Sequence, residues 1–388
     1  MKTKLSAWNY IKNNGRVVSV LVISLALSFL AMYVIHVLLQ TTTESFKPIM
    51  LEVPKRISYA ALSPQNLGIR AADHETNEEY NEAYLNAQED LVKRLERRPG
   101  IGRVLYTQVI FAGYQAVIGM TDFEVPLVDP KDIPDFLEHM DAKLVDGRLP
   151  EGDGEVVVDS VILKNHREKI GDWFQADAYA ESFKIVGEIS SDYRFCIGTP
   201  MGNTNSGWYL VVCNDETTTD LRGLLKEEGV LLSDTDVVFD AKAGREMFEK
   251  DVEGVINNVV FYISLVVTVF LALLVLVAYL SFMRNRVNEY CLYVSIGYGR
   301  AEIYGMILRE MFLLFAMGAF AGLLISFGSG AILTQLLILP RGLAGKMFYG
   351  ERILRILGIF LFLMGILQIP VVFLIKRIRT IDAIEDYE

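Results

Sequence analysis

Four stretches of this chain carry no Asp, Glu, Lys or Arg: 17–43, 254–283, 311–340 and 356–375. Each is long enough to cross a hydrocarbon core, which takes roughly 20 apolar residues as a helix. Between the first and second, over 41–255, charge returns and the apolar positions break into short runs. The pattern predicts a membrane protein with four transmembrane α-helices in a 1+3 layout. A large mixed α/β domain lies between helices 1 and 2. The expected segments are 1–16, helix 1 at 17–40, the large domain at 41–253, helix 2 at 254–283, a connecting segment at 284–303, helix 3 at 304–340, a short loop at 341–354, helix 4 at 355–375 and a tail at 376–388.

Within the large domain, residues 75–98 read as a polar helix with a sparse apolar stripe at Tyr84, Ala87, Leu91 and Leu95, ended by Pro99-Gly100. Residues 103–112 and 114–120 alternate as paired strands broken at Gly113. A short helix follows at 134–140. Further strands are expected at 155–159 (EVVVD), 183–189 (FKIVGEI), 208–213 (WYLVVC) and 236–240 (DVVFD), with a helix near 217–228. Residues 44–56 read as a stalk, and 241–253 as helix running into helix 2.

Charge sets the orientation. The stretch 41–255 holds 40 Asp and Glu against 22 Lys and Arg, whereas the chain as a whole has a net charge of −11. Basic residues gather beside the spans, at Lys2, Lys4, Lys12 and Arg16, at Arg284, Arg286 and Arg300, and at Lys376, Arg377 and Arg379. By the positive-inside rule these flanks and both termini are cytoplasmic, and the acidic domain is extracytoplasmic. The loop with Arg341, Lys346, Arg352 and Arg355 runs against that rule. Helix 1 is too long for a signal-peptide core of about 7–15 residues, so it is expected to stay as an anchor in the cell membrane. No basic face suited to nucleic acid is present.

The three cysteines and four histidines suggest little chemistry. Cys196 and Cys213 flank a Gly/Asn/Ser-rich stretch that reads as a long hairpin tip, so a disulfide across it is one expectation and two free thiols the other. No metal-ligand spacing such as CxxC or HExxH occurs, and no catalytic constellation stands out. His36 reads as a packing residue in helix 1. His74, His139 and His166 read as surface residues.

Residues 284–310, RNRVNEYCLYVSIGYGRAEIYGMILRE, form a short amphipathic helix, a turn bracketed by Gly297 and Gly299, and a new helix opening at Glu302. A short helix tied to two membrane helices can transmit force from a soluble partner; an ordinary topology-setting loop is the plainer alternative. Helix 3 carries Gly318, Gly322, Ser326, Gly330 and Thr334 at every fourth position, a ridge of small side chains that lets helices approach closely. It serves either packing within one subunit or a sliding or dimer surface. Glu310, beside Arg309, reads as a carboxylate that snorkels or pairs near the interface.

The connecting segment resembles the signature of the FtsX-like permease domain, with Arg286, Glu289, the aromatic Tyr290, Gly297, Arg300 and Glu310 at its positions. Residues 144–174 and 183–189 are similar to the MacB-type extracytoplasmic core, on Gly147, Arg148, Pro150, Glu155, Gly171, Asp172 and Gly187. The tail 381–385 is similar to the family's terminal Pro-x-x-Ala-Leu motif, with Ile381 in place of proline. The resemblance implies the permease subunit of an ABC system handling peptides, lipoproteins or other amphiphiles. A separate ATPase subunit holds ATP and Mg, and a second permease copy or paralogue pairs with this chain. An extracytoplasmic accessory protein is a further expectation. Contact with the ATPase falls on Arg284, Arg286, Glu289, Tyr290, Gly297, Gly299, Arg300 and Glu302. This chain contains no GxxxxGK[ST] string, so it is expected neither to bind a cofactor nor to be an enzyme. The alternatives are an FtsX-like regulator of a cell-wall hydrolase and a signalling receptor without an ATPase.

Overall fold

The computed structural model describes residues 7–175, 182–201, 207–214, 220–284, 286–346 and 349–377. It divides into a helical unit, Met1–Leu38, Asn257–Thr334 and Lys346–Glu388, and a mixed unit, Leu39–Ile256 with Gln335–Gly345.

The helices of the chain begin with α1 (Ala7–Asn13) and α2 (Gly15–Lys47). The later ones are α9 (Val255–Arg284), α10 (Val287–Ser295), α11 (Arg300–Leu333) and α12 (Gly350–Arg377). Among the described residues, four helices are long and apolar enough to cross a membrane. In the helical unit, Phe29, Tyr33, Met283, Tyr290, Ile307 and Phe360 share one buried cluster. The small ridge of α11 is buried at Gly318, Gly322, Ser326 and Gly330. A Cβ at Gly318 would stand 2.5 Å from Cβ of Leu25, and one at Gly322 2.6 Å from Cβ of Phe29. This stretch of the ridge therefore packs on α2 of the same chain, as close backbone approach requires. At Gly328 a Cβ would meet nothing within 4 Å.

Among the described residues, the mixed unit is built on one nine-stranded sheet, of order β4-β6-β5-β7-β3-β2-β8-β1-β9. Its strands are β1 (Ile57–Ala60), β2 (Ile101–Gln115), β3 (Met120–Leu127), β4 (Lys143–Gly147), β5 (Glu155–Asp159), β6 (Lys184–Ser190), β7 (Cys196–Gly198), β8 (Gly207–Asn214) and β9 (Val238–Phe239). Helices α3 (Val53–Arg56), α4 (Asn77–Leu95), α5 (Ile133–His139), α6 (Ser160–His166), α7 (Leu221–Glu227) and α8 (Ala241–Met247) complete it. Two halves meet where β3 runs parallel to β7 at Leu127 and Gly198. The EVVVD run explains why β5 is central. Val156 and Val158 enter one core and Val157 another, because successive side chains of a strand point to opposite faces. β5 and β6 are parallel, with α6 in the connection between them.

Several expectations need correcting. Gly113 is not a break: β2 continues through it to Gln115, and the turn falls at 116–119, where Ala116 N–H bonds to Gly119 O at 3.0 Å and Gly119 has φ 85°. Residues 44–56, read as a stalk, are helical. α2 runs to Lys47, a π-type turn covers Pro48–Glu52, and α3 follows. Cys196 and Cys213 do not form a disulfide: they lie on β7 and β8, with β3 and β2 between, and both are buried. The hairpin does not form because the Gly/Asn/Ser-rich stretch joins strands that are not sheet neighbours.

The Gly-Arg-x-Pro stretch acquires a physical reason. Arg148 forms an ion pair with Glu155, with Nη1 donating to Oε2 at 2.7 Å. The same carboxylate accepts the N–H groups of Glu151 and Gly152 at 2.9 and 3.0 Å. One Glu at the mouth of β5 thus ties down the turn before it. Arg148, with burial opposing, holds the carboxyl down at about 2, well below its ordinary 4.5. The terminal motif at 381–385 lies outside the described residues.

Candidate functional site

The connecting segment builds its corner from backbone upward. After α9 ends, Arg286 N–H bonds to Met283 O at 3.1 Å, and α10 begins at Val287. The helix stops at Ser295. Gly297 takes φ 92°, a conformation that L side chains rarely adopt, so Tyr298 N–H can return to Tyr293 O at 3.0 Å. Glu302 then accepts Gly299 N–H at 2.8 Å and caps the start of α11. Two tight turns therefore fix the path of nine helical residues between two long helices.

Arg286 locks the corner from inside. Its Nε donates to Glu289 Oε2 at 2.8 Å, and its Nη1 to Glu310 Oε2 at 2.5 Å. The guanidinium lies 4.9 Å from the Tyr290 ring centroid, a cation–π distance. Tyr293 Oη donates to the other oxygen of Glu289 at 2.7 Å. Arg286 is only 5% exposed and Glu310 1%. Burying ions is costly unless they are paired and hydrogen-bonded, and here the fork of one arginine serves two carboxylates. Although burial opposes it, Arg286 together with Tyr293 keeps the Glu289 carboxyl below its ordinary value. Burial, then the bond to Glu289, pushes the Tyr293 phenol up to about 12.

The structure thus brings Arg286 and Tyr290, both buried, and half-buried Glu289 into one knot. It leaves Arg284, Gly297, Gly299, Arg300 and Glu302 exposed along the corner. Glu310 does not simply snorkel beside Arg309: it is buried and paired with Arg286, 24 positions away. Sequence reasoning takes Leu292 only as one apolar position of the amphipathic helix and passes over Ile296. They sit four positions apart on one helical face and are 56% and 61% exposed. Their i, i+4 apolar spacing on a polar segment is the available signal. No group of three or more metal-ligating side chains occurs among the described residues. The arrangement is one of ion pairing and packing. What it offers is a stiff corner with an apolar knob.

Residues 261–383 match the family FtsX-like permease C-terminal. The match takes in most of α9, all of α10, α11 and α12, and every member of the Arg286 knot. The chain is also similar to the periplasmic region of MacB from Actinobacillus actinomycetemcomitans, at 14% identity over 53% of this chain and 96% of that one, with a TM-score of 0.27. A second likeness is to the extracellular domain of the noncanonic ABC-type transporter YknZ from Gram-positive bacteria, at 13% identity over 48% and 99%, with a TM-score of 0.25. At these scores neither carries a residue or role across. No curated protein matches the chain.

Proposed function

We propose that this chain is the transmembrane permease subunit of an ABC-type transporter, and that it relays the motion of a separate ATPase to its own mixed domain. The permease match over 261–383 supports the transporter class. The observation that carries the relay is the corner at 286–302, where the Arg286–Glu289–Glu310 knot stiffens a short helix presenting Leu292 and Ile296. A force-bearing contact needs both parts: an apolar surface that a partner can grip, and a rigid tie into two membrane helices. A loop that only set topology would need neither.

In this reading the corner and both termini face the cytoplasm, and the mixed domain lies outside. ATP and Mg are bound by the partner. A second permease, identical or paralogous, completes the assembly. The work done is export or extraction of a peptide, lipoprotein or other amphiphile. A tagged chain purified in mild detergent from its host should bring down an ABC ATPase near one-to-one. ATP hydrolysis should require that partner. Leu292→Asp should abolish the capture while leaving the thermal melt of the permease unchanged, because Leu292 faces outward. Capture unaffected by Leu292→Asp and Ile296→Asp together would remove α10 as the contact. Absence of any ATPase, even after cross-linking, would remove the transporter reading.

A further inference from the structure

The mixed unit holds a cavity of about 680 Å³, lined among others by Met120, His166, Arg167, Trp173, Gln175 and Arg341. That volume is typical of small-molecule sites. Its floor is the stretch of β2 beyond the end of β8, whose backbone is satisfied by side chains instead of a strand. Asn165 accepts Gln115 N–H at 2.9 Å and donates to Gln115 O at 2.7 Å. His166 Nε2 lies 2.6 Å from Gly113 O, and Gln175 accepts Gly113 N–H at 3.3 Å. His166 is thus a part-buried wall residue, not a surface one.

Two features of the wall point to a ligand. First, Arg167 and Arg341 make no ion pair among the described residues, although the surrounding domain is strongly acidic. The carboxylate beside them, Glu168, is already used: it accepts Gln175 N–H at 2.8 Å and sits 3.3 Å from His166 Nδ1. Second, the backbone is held in place at these positions. Arg167 is the left-handed C-cap of α6, at φ 62°, and Gln175 has φ 43°. Arg341 is fixed through its carbonyl, which accepts from Asn165 at 3.1 Å, and through Gly342, whose carbonyl accepts Tyr114 Oη–H at 2.8 Å.

The height of the cavity indicates where the ligand comes from. Arg341 is the last residue of the third membrane-capable helix. The β2–β3 turn, which carries exposed Ile118 and leads into exposed Met120, donates Ile118 N–H to Thr42 Oγ1 at 3.2 Å, and Thr42 lies one residue short of the end of the uncharged run of the first. Both marks place the cavity where hydrocarbon gives way to headgroups. Guanidinium forks suit phosphate, and the Trp173 indole and Met120 thioether suit the apolar part of an amphiphile. We propose that this cavity binds a phosphate-bearing anion, and that its source is the headgroup of an anionic lipid or lipid-like amphiphile.

The test needs no ATPase, so it can fail without touching the relay, and the relay can fail without touching it. In the full chain in maltoside detergent, Trp8→Phe and Trp208→Phe leave Trp173 as the reporter. Dihexanoyl phosphatidylglycerol should change its emission saturably. Arg167→Gln and Arg341→Gln together should weaken that response by about tenfold or more, as loss of charge-assisted bonds does. Dihexanoylglycerol, with the same chains and no phosphate, should not saturate it. If inorganic phosphate saturates it as well as the lipid does, the anion site stands and the lipid source is overturned. If the response survives the arginine changes, or is equal for dihexanoylglycerol, or never appears, the site itself is overturned. Should the double variant fail to fold, Arg167→Gln alone, at an exposed side chain, decides the matter by the same loss of response.

Discussion

Two Arg–Glu pairs set the two units of this molecule apart. Arg286–Glu310 belongs to the helical unit and is almost wholly buried. Arg148–Glu155 belongs to the mixed unit, with the arginine side chain 49% exposed. Their chemistry is the same and their burden is not. Around this pair water reaches the arginine, 49% exposed, far more than the carboxylate, 16% exposed, so the arginine's share is screened and Glu155 mainly orders a turn through the N–H groups it also accepts. Around the buried pair nothing stands in for either partner, so each makes the other tolerable. The contrast separates a pair that shapes a strand mouth from a pair that a moving corner cannot lose.

The sharpest way to break the contrast is to remove one buried partner. Arg286→Ala strands buried Glu310, a kind of loss that costs about 3–5 kcal/mol. A large drop in the melting temperature of the detergent-purified chain is expected. Replacing both ends, Arg286→Met with Glu310→Leu, should recover most of that loss, since an apolar pair of similar volume is often neutral or better. Recovered melting with lost ATPase coupling would assign the pair to force transmission. Recovered melting with intact coupling would reduce it to packing. An Arg286→Ala protein that melts like the parent would mean that the knot is not formed at all.

How much of this can be read in the sequence depends on the range of the interaction. The four spans are legible because uncharged runs are local, and EVVVD and WYLVVC are legible as strands because alternation and β-branching are local. Arg286, Glu289 and Gly297 stand out for the same reason. The pairing of Arg286 with Glu310 does not, because it closes a 24-residue loop, and Glu310's chain neighbour Arg309 looks like the natural partner. The β7 and β8 error has the same source: adjacency in sequence suggests a hairpin, while β2 and β3 fill the space between. At Gly113 a breaker residue suggests a turn, although it lies mid-strand, where a Cβ would come within 2.9 Å of Met120 Sδ. A glycine can mark close approach as well as a turn.

A smaller effect extends the comparison to packing. Gly322→Leu would force a side chain onto Phe29, and overpacking of this kind costs roughly 1–3 kcal/mol. Gly328→Leu meets open space and should leave the melt nearly unchanged. If the two variants melt alike, the contact between α11 and α2 is wrong. If only Gly322→Leu lowers the melt, the small ridge is a packing surface at that level of the helix.

The smallest expected effect lies at the exposed pair, and pH isolates it. Glu155 titrates at about 2 in the folded chain against an ordinary 4.5. A carboxyl depressed on folding adds stability above its unfolded value, and that contribution drains away as pH falls through the window between the two. The parent should therefore melt above Glu155→Gln near neutral pH, and the gap should close between about pH 4.5 and pH 2. Arg148→Ala should narrow the gap without closing it, since the N–H groups of Glu151 and Gly152 still favour the ionised form. High salt should shrink the arginine's share but not the backbone's, because exposed charges are screened and hydrogen bonds are not. A gap that persists unchanged to pH 2 would show that Glu155 acts by shape instead of charge, and the exposed pair would then differ from the buried one in kind and not only in degree.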